Sequence, residues 1–581
     1  ACFENALSIW QLHHLSCHID ALAREDISVT SLLMQLAMEQ AAPQFILHSW
    51  LELIAKSIVN QEALAEQSIG ILSLWIQIHP MDASATERLI QYLLDKNQVD
   101  LVETLFLELS KRFPNEPNYL LGLAKARFFK RDLDRAFVVV NAALDMDEKN
   151  LEIRLVRARL FEQLLNPHLA LVDINQNLKL DPNHLPSLIA KVNSLADLGR
   201  LDEALELHEK LLARELDEED RSGLELSKSF AYRIAGRINE WIKHVDYLAE
   251  RFPNQAEALC ELGWREVYLG NWQAGFELLE HRFEPGIHYF PVQPHLDFAK
   301  IPKWTKEILQ SSVEGKHLLL CGEEGMGDVI QFSRFIPLLL NKGLHITFMC
   351  KESLHALFAY NFPQLRLVSS ERLIDELHGQ VRYDFYGEIM STPWLLDLSV
   401  NDLSGAPYLK ALPEKIESMA AFKNLKLAGK ADQSDMAIGL RWISSMARSG
   451  RSIPLEDLQA ITQLPISIFG LHYGPMKQTD QQLYETWPHF YPTELELSDL
   501  AGLMMNLDCI VTTDTMTAHL AGALGRPTIL LKPVFIDWRW SDTSTQSIWY
   551  DSMQVIRQDK IRDWSGAIAQ LVQELQRRLK T

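Results

Sequence analysis

The hydrophobic pattern of the chain changes near its middle. Up to residue 284, apolar residues recur at the three- and four-residue spacing of amphipathic helices, as in SLLMQLAMEQ (31–40) and LVETLFLELSKRF (101–113). Beyond residue 304, short apolar runs such as KHLLLCG (316–322) and MAIGLRW (436–442) are typical of buried strands. We therefore predict a helical first half followed by an α/β second half.

A 34-residue period runs through the later part of the helical half. The residues that return at this interval are Ala124 and Ala158, then Ala136, Ala170 and Ala204, and finally Leu144, Leu178 and Leu212. Small residues at this period, where paired helices cross closely, are the tetratricopeptide signature. A weaker unit covers 216–252 and a final one 253–284. Such superhelices present a long groove, so we predict partner binding; the alternative is that the repeats only dimerise the chain or brace its neighbour.

The second half alternates strand and helix patterns in two blocks. The apolar runs lie at 316–322, 344–350, 364–370 and 383–389, and again at 436–442, 466–471, 509–514 and 527–533. This alternation predicts two doubly wound parallel sheets with a cleft between them. The predicted domains are an N-terminal helical domain at 1–113, repeats at 114–284, a first lobe with its proline-rich linker arm at 285–416, a second lobe at 417–560, and a terminal helix at 561–581.

Composition narrows the classes of partner. The formal charge of −21 argues against nucleic acid or an anionic membrane as the main partner, because both require a basic face. No stretch reaches the roughly 20 apolar residues of a membrane span. The cysteines form no CxxC pair, which favours reduced thiols and a cytoplasmic location. HHLSCH (13–18) places His and Cys at helical spacing, but a fourth ligand is not evident, so we favour a plain helix face over a metal site.

The stretch CGEEGMGDVIQFSRF (321–335) turns a predicted strand into a helix through three glycines. It lacks the GKT or GKS ending of a P-loop and the GxGxxG spacing of dinucleotide sites. Glu323 and Glu324 would repel a pyrophosphate on this turn. With these nucleotide motifs excluded, the candidate functional group of this stretch is Asp328, a carboxylate at the start of the predicted helix. The alternative is that Asp328 only caps that helix.

Two further strand ends carry polar residues, as ligand sites of open α/β sheets require. In VTTDTMTAHLAGALGRP (511–527), hydroxyls gather where a strand meets a helix, and free N–H groups there can bind an anion; an ordinary helix cap is the alternative. In GLRWISSMARSGRSIPL (439–455) the candidates for binding a phosphate or carboxylate are Arg441, Ser444, Ser445, Arg448 and Arg451. In DWRW (537–540), Trp538 or Trp540 could close over a base or sugar ring or pack in the core.

Four blocks, in order, resemble the tetratricopeptide-repeat glycosyltransferases whose catalytic part is related to the heptosyltransferases. They are GEEGMGDVIQFSRFIPLL (322–339), GRSIPLEDL (450–458), DCIVTTDTMTAHLAGALGRPTILL (508–531), and DWRWSD with WYDSMQVIRQ (537–542 and 549–558). The resemblance covers residues 285–560 and includes the repeats placed ahead of them. It implies a GT-B fold, with the acceptor held mainly by the first lobe and a nucleotide sugar mainly by the second.

The resemblance also implies roles for individual residues. Asp328 becomes the catalytic base, and the expected donor-phosphate contacts are Asp514, Thr515, Thr517, Ala518 and His519. To these we add Arg441, Ser444, Arg451 and Trp540 on the donor side, and Glu324, Gly325, Gly327 and Gln331 on the acceptor side. The stretch ISSMARSG (443–450) differs from the Gly-Asn-Pro-like stretch that many relatives have at this place. The resemblance therefore does not predict which nucleotide the donor carries.

Within that group the chain is most similar to bacterial flagellin O-glycosyltransferases. This likeness implies transfer of a nonulosonic acid, such as pseudaminic acid, from its CMP form to Ser or Thr of flagellin held by the repeats. The scheme needs no metal or other cofactor, and the N-terminal helices are candidates for oligomerisation. Two alternatives stay open: a heptosyltransferase-like enzyme acting on a lipopolysaccharide saccharide, and a non-enzymatic repeat adaptor.

Overall fold

The computed structural model describes residue 90 and residues 99–580 apart from short gaps. The gaps are residues 131, 165, 285–295, 297–300, 324, 379–381, 428–435, 445–449, 473–481, 483–485, 488–489, 541 and 543. The helices predicted in residues 1–89 and the HHLSCH segment lie outside the described residues. So do the candidate site residues Glu324, Ser445 and Arg448.

The first part of the described chain is a stack of paired helices. Their bounds are Val99–Arg112, Pro117–Phe129, Leu133–Met146, Leu151–Gln163, Pro167–Leu180, Leu185–Asp197, Leu201–Leu212, Glu218–Ile234, Ile238–Arg251, Ala256–Tyr268 and Trp272–Leu278, followed by the 3-10 helix Leu279–Phe283. The side chains of Asn150 and Asn166 cap two of these helices by accepting hydrogen bonds from the amides of Ile153 and Leu169 at 3.1 and 3.3 Å.

The periodic small residues lie where the helices cross. Ala124, Ala136, Ala158, Ala170 and Ala204 are all fully buried. A larger side chain at these positions would force the paired helices apart, which explains the 34-residue interval. The predicted tetratricopeptide repeats are confirmed.

The first α/β lobe contains a parallel sheet with strand order β3-β2-β1-β4. Its strands are β1 His317–Cys321, β2 His345–Met349, β3 Arg366–Val368 and β4 Phe385–Glu388. Its helices are Lys306–Gln310, Met326–Phe332, Ile336–Leu340, His355–Asn361, Ser370–His378 and Thr392–Leu395, with 3-10 turns Ser333–Phe335, Glu352–Leu354, Ile389–Ser391 and Val400–Asp402. The next helix, Pro413–Leu427, packs on the helix Leu497–Met505 of the second lobe, where Lys415 pairs with Asp499 at 2.7 Å. The strand order reverses at β1, so the loop after β1 lies at the switch point, where ligands of such sheets bind.

The second lobe contains a six-stranded parallel sheet with order β10-β9-β8-β5-β6-β7. Its strands are β5 Met436–Arg441, β6 Ile466–His472, β7 Phe490–Glu494, β8 Cys509–Thr513, β9 Thr528–Lys532 and β10 Met553–Arg557. Its helices are Leu497–Met505, Met516–Ala523 and Ser565–Arg578, with the 3-10 helix Leu455–Gln463. Here the order reverses between β5 and β8. The predicted fold class, a tetratricopeptide superhelix followed by a GT-B pair of α/β lobes, is confirmed.

An aromatic cluster joins the last repeat to both lobes. Trp272 of the repeats stacks on Trp549 of the second lobe with ring centroids 5.2 Å apart, and Phe276 meets Phe332 of the first lobe edge-on at 5.9 Å. Trp538 of the second lobe completes the contact with Phe276 at 5.9 Å. One continuous apolar core therefore fixes all three parts against each other.

None of the described helices is long and apolar enough to cross a membrane.

Residues after the linker arm extend the sheet of the first lobe. Lys303 forms a parallel bridge with Tyr386, and the Trp304 amide donates to the Tyr386 carbonyl at 2.7 Å. The buried indole of Trp304 occupies the space above Gly387, where an added Cβ would lie only 1.9 Å from the ring. Glycine at 387 thus allows the residues leading out of the repeats to pack directly on β4.

Candidate functional site

The glycine loop, which joins β1 to the helix Met326–Phe332, presents Asp328 at the edge of the first lobe. The loop leaves β1 through Gly322, whose amide donates to the Met349 carbonyl at 2.7 Å. Gly325 occupies the N-cap position of the helix, and Asp328 lies in the first turn. Asp328 is therefore not the N-cap residue, which was the alternative to a role in chemistry.

Asp328 faces a cation of the second lobe. Its carboxylate forms an ion pair with the Arg539 guanidinium. Arg539 also donates through Nε to Gln331 Oε1 at 3.1 Å, so one guanidinium contacts two residues of the same helix. The Asp328 side chain keeps 27% exposure against 12% for Arg539. The carboxylate is thus held from the second lobe and still reaches solvent in the cleft.

Alternating charges continue from Arg539 into the second lobe. Asp537 lies between two cations, with Arg539 Nη1 at 3.3 Å and Arg451 Nη2 at 2.7 Å. Arg451 also lies 3.0 Å, through Nε, from the carboxylate of Asp514. We call these five side chains, Asp328, Arg539, Asp537, Arg451 and Asp514, the interlobe network. It connects the switch point of one sheet to that of the other.

Burial and charge act in opposite directions on the carboxylates of this network. Burial raises the pKa of Asp537, but Arg539 and Arg451 outweigh it and bring that pKa below its usual value. At Asp514 burial dominates, so its pKa is raised despite Arg451. Asp537 therefore stays ionised, whereas Asp514 holds a proton more readily than an ordinary aspartate does.

The helix that follows the threonine-rich strand end meets the helix that carries Asp328. β8 ends at Thr513, and Thr515 is the N-cap of the helix Met516–Ala523 but accepts no capping hydrogen bond through its side chain. An added Cβ at Gly327 would lie 3.0 Å from the His519 ring and 3.6 Å from Met516 Cα. Glycine at 327 thus lets the starts of the two helices approach closely across the cleft.

Most of the other donor-side candidates of this helix lie inward. Thr517, Ala518 and His519 are buried, and burial holds the pKa of His519 well below its ordinary value, so the ring is neutral. His519 Nδ1 lies 2.9 Å from the Tyr550 hydroxyl, and its ring stacks on the fully buried Trp540 at 5.4 Å. Direct donor contacts by these side chains stay predictions.

Arg441 is a further cation at the carboxyl edge of the second sheet. It ends β5, in register with Thr512 of β8. Its Nη1 contacts His472 Nδ1 at 3.1 Å and the Leu471 carbonyl at 3.4 Å, and burial lowers its pKa to about 10. Within the described residues no carboxylate lies at ion-pair distance from it. Ser444 is buried, and its amide donates to Ser452 Oγ at 3.0 Å. Arg441 is thus a buried positive charge suited to an anion.

The structure brings Asp328, Gln331, Arg451 and Asp514 into one set of contacts and leaves Arg441 beside it. It also adds two residues that the sequence argument missed, Asp537 and Arg539. Both lie in DWRW, which we considered only for its tryptophans. The available signal was their place after β9, at the carboxyl end of a strand. Among the described residues, no group of potential ligands is arranged to hold a metal ion.

A second set of buried charges lies where the last repeat meets the first lobe. Lys303 contacts Glu280 at 2.9 Å and Glu388, at the end of β4, at 3.4 Å. Arg282 contacts Glu280 at 3.1 Å and Glu323 of the glycine loop at 2.9 Å. Three carboxylates therefore share two cations. Burial raises the pKa of Glu388 to about 7, while Lys303 partly opposes the shift.

Glu388→Gln is expected to stabilise the protein above pH 7. The raised pKa means that folded Glu388 keeps a proton between about 4.5 and about 7 that the unfolded chain releases, so wild-type stability falls as the pH rises through this window. Glutamine mimics the protonated form and removes this loss, a difference of up to about 3 kcal/mol. Urea unfolding at pH 5 and pH 8 measures it, with exposed Glu314→Gln as control. Lower stability of the variant at pH 8 would show instead that ionised Glu388 stabilises the fold through Lys303.

Comparison with known proteins finds similarity at low identity. No family model matches the chain. Protein FlbA of Caulobacter vibrioides is 22% identical over 379 residues, which cover 60% of this chain and 60% of that protein. The chain thus matches less than two thirds of the length of this curated relative.

Two solved structures are similar at lower identity. A glycosyl transferase of family 9 from Veillonella parvula is 15% identical with a TM-score of 0.36, covering 46% of this chain and 98% of that one. A tetratricopeptide repeat protein from Parabacteroides merdae is 12% identical with a TM-score of 0.33, covering 41% and 93%. Likenesses this distant do not assign an activity, which must be inferred from the chain's own residues.

Proposed function

We propose that the chain is a glycosyltransferase that moves a sugar from a nucleotide donor in the second lobe to a hydroxyl held against the first. The observation that carries this proposal is the interlobe network. A partly exposed carboxylate at one switch point pairs with Arg539, which is linked through Asp537 to Arg451 at the other. The helix that starts there at Thr515 has no side-chain cap. Group transfer from a phosphate leaving group requires this pairing of a proton acceptor with a preformed anion site.

Asp328 acts as the general base. The acceptor oxygen attacks the anomeric carbon as the bond from that carbon to the phosphate oxygen breaks, and the hydroxyl proton passes to the Asp328 carboxylate. A positioned base contributes about 10²–10⁴ in rate. Arg539 holds the carboxylate in place through its contacts with Asp328 and Gln331.

Arg451, Arg441 and the helix start at Thr515 bind the departing phosphate. Negative charge develops on the phosphate as the sugar leaves, and fixed cations and N–H dipoles stabilise that charge without reorganising. Arg451 is kept in place by Asp514 and Asp537, whereas Arg441 offers a charge with no carboxylate partner among the described residues. This scheme calls for no metal.

For the donor and acceptor we propose a CMP-linked nonulosonic acid and the Ser/Thr hydroxyls of flagellin, docked on the repeats in the cytoplasm. The support is the ordered resemblance of four sequence blocks and the presence of tetratricopeptide repeats. A CMP-nonulosonic acid carries a phosphate and a carboxylate, which suit two arginines. A diphosphate donor such as ADP-heptose also carries two negative groups, so a heptosyltransferase-like reaction is the second candidate.

Calorimetric titration with CMP, UDP, GDP and ADP is expected to give the strongest binding for CMP. Arg441→Met should weaken that binding by about 10-fold, the loss expected for a charged hydrogen bond to phosphate. The matched control is Arg577→Met, which removes an exposed arginine from the terminal helix of the same lobe. Preference for ADP would favour the second candidate, and failure of all four nucleotides to bind would contradict the donor assignment.

A further inference from the structure

Arg282 of the repeat domain makes a two-point contact with the glycine loop. Its Nη2 lies 2.9 Å from Glu323 Oε1, and its Nε donates to Glu323 Oε2 at 3.2 Å. The two side chains are 9% and 6% exposed. A two-point pair fixes the orientation of the carboxylate as well as its distance. Arg282 lies in the 3-10 turn Leu279–Phe283 that ends the last repeat, whereas Glu323 follows β1 of the catalytic lobe.

The Arg282 guanidinium is itself held on every side. Nη1 donates to the Leu279 carbonyl at 2.8 Å and to Glu280 Oε1 at 3.1 Å, and Nη2 reaches Ser391 Oγ at 3.3 Å. The guanidinium carbon lies 4.0 Å from the centre of the Phe283 ring. These partners belong to both the repeats and the first lobe, so Arg282 is a rigid support and Glu323 is the group that it positions.

Among the described residues of the glycine loop, Glu323 is the one with a side chain beyond Cα that can fix it. Gly322 and Gly325 contribute no side-chain contacts, and glycine-rich backbone has the largest conformational freedom to lose. The Gly322 amide anchors the beginning of the loop on Met349, and the helix begins only at Met326. Between these points Glu323 supplies an anchoring side chain, five residues before Asp328.

We propose that Arg282 is a positioning residue for Asp328, acting through Glu323, so that the last repeat forms part of the catalytic lobe in addition to any role in docking an acceptor. This proposal rests on the proposed function, since it assigns Arg282 to the geometry of that reaction. Removing Arg282 leaves Glu323 as a buried carboxylate without its partner, and the loop relaxes to rehydrate it. Because the loop leads directly into the first turn of the helix Met326–Phe332, its movement shifts Asp328 out of line with Arg539 and the donor.

The test compares Arg282→Met with Gln273→Leu in the full-length protein. Gln273 belongs to the same last repeat and donates to the carbonyls of Pro393 and Leu398 at 3.0 and 2.9 Å, so its loss weakens the same interface without touching the glycine loop. Hydrogen–deuterium exchange of a peptide covering residues 322–332 reports the loop directly. Transfer kinetics and titration with CMP report the reaction and the donor site.

Arg282→Met is expected to speed exchange in that peptide by at least about 10-fold and to lower kcat by a similar factor, because local opening and catalysis share the loop. The affinity of Arg282→Met for CMP should equal that of the wild type. Gln273→Leu should show the wild-type exchange rate in the 322–332 peptide and the wild-type kcat. Glu323→Gln keeps the size of the side chain and removes its charge. Its exchange rate in the 322–332 peptide and its kcat should lie between those of Arg282→Met and Gln273→Leu.

Two results would overturn the proposal. One is unchanged exchange and kcat in Arg282→Met; the other is equal, uniform loosening in Arg282→Met and Gln273→Leu, which would make the pair a structural contact only. The exchange measurement needs no substrate. If the wild type transfers no sugar, the proposed function fails, whereas localised exchange in the 322–332 peptide would still show that Arg282 positions the loop.

Discussion

Asp328→Asn is expected to lower the rate of sugar transfer by about 10²–10⁴-fold, the contribution of a positioned general base. Asparagine has nearly the same shape and can still accept a hydrogen bond from Arg539, so the lobes stay in place. It cannot take the proton of the acceptor hydroxyl. The measurement is single-turnover transfer with saturating donor and acceptor, together with titration of CMP, which should bind as in the wild type.

The matched control is Asp397→Asn. Asp397 is an exposed carboxylate of the same lobe that pairs with Lys306 at 2.8 Å, away from the glycine loop. Its substitution should leave transfer within about twofold, as for most surface changes. Near-normal transfer by Asp328→Asn would remove Asp328 from the mechanism and leave the interlobe ion pair as a structural contact.

Arg451→Met is expected to weaken both the fold of the second lobe and its donor binding. The change removes the guanidinium that two buried carboxylates, Asp514 and Asp537, share as an ion-pair partner. Breaking a buried pair by removing one partner costs about 3–5 kcal/mol. Arg451 is also a proposed phosphate ligand, so CMP affinity should fall by at least about 10-fold. Thermal unfolding with and without CMP measures both effects.

The double variant Arg451→Met/Asp514→Asn separates the two roles. Removing the charge of Asp514 relieves much of the cost of the missing guanidinium, so stability should partly return. Donor binding should not return, because the cation is still absent. Recovery of CMP affinity in the double variant would show that Arg451 acts only by balancing Asp514 and makes no contact with the donor.

Local pattern was enough to predict the repeats and the inner strands. The repeats depend on small residues such as Ala136 and Ala170, whose spacing is visible in the sequence alone. Strands β5 and β8 are buried on both faces, and each begins with a continuous apolar run, at 436–440 and 509–511. Strands β7 and β10 were missed, and both lie at the edges of their sheet. Edge strands carry a weaker apolar signal, and β7 includes Pro492.

The site was predicted only in its separate pieces. Asp328, Arg451 and Asp514 each follow a strand and could be identified from that position. Asp537 and Arg539 also follow a strand, β9, but their ion pairs could not be predicted, because the partners are far apart in sequence: Arg539 pairs with a residue 211 positions away. The pairing of Arg282 with Glu323 likewise depends on how the repeats pack against the first lobe. Contacts between domains produce no periodic pattern in the sequence from which they could be predicted.

The most direct test of the account is transfer to flagellin itself. The full-length protein, purified flagellin lacking glycans and CMP-pseudaminic acid are mixed, and the intact mass of flagellin is followed by mass spectrometry. The account predicts mass increments of one sugar residue per modified Ser or Thr with the wild type and none with Asp328→Asn. An unchanged mass of flagellin with CMP-pseudaminic acid, while the same protein transfers heptose from ADP-heptose to a saccharide, would contradict it.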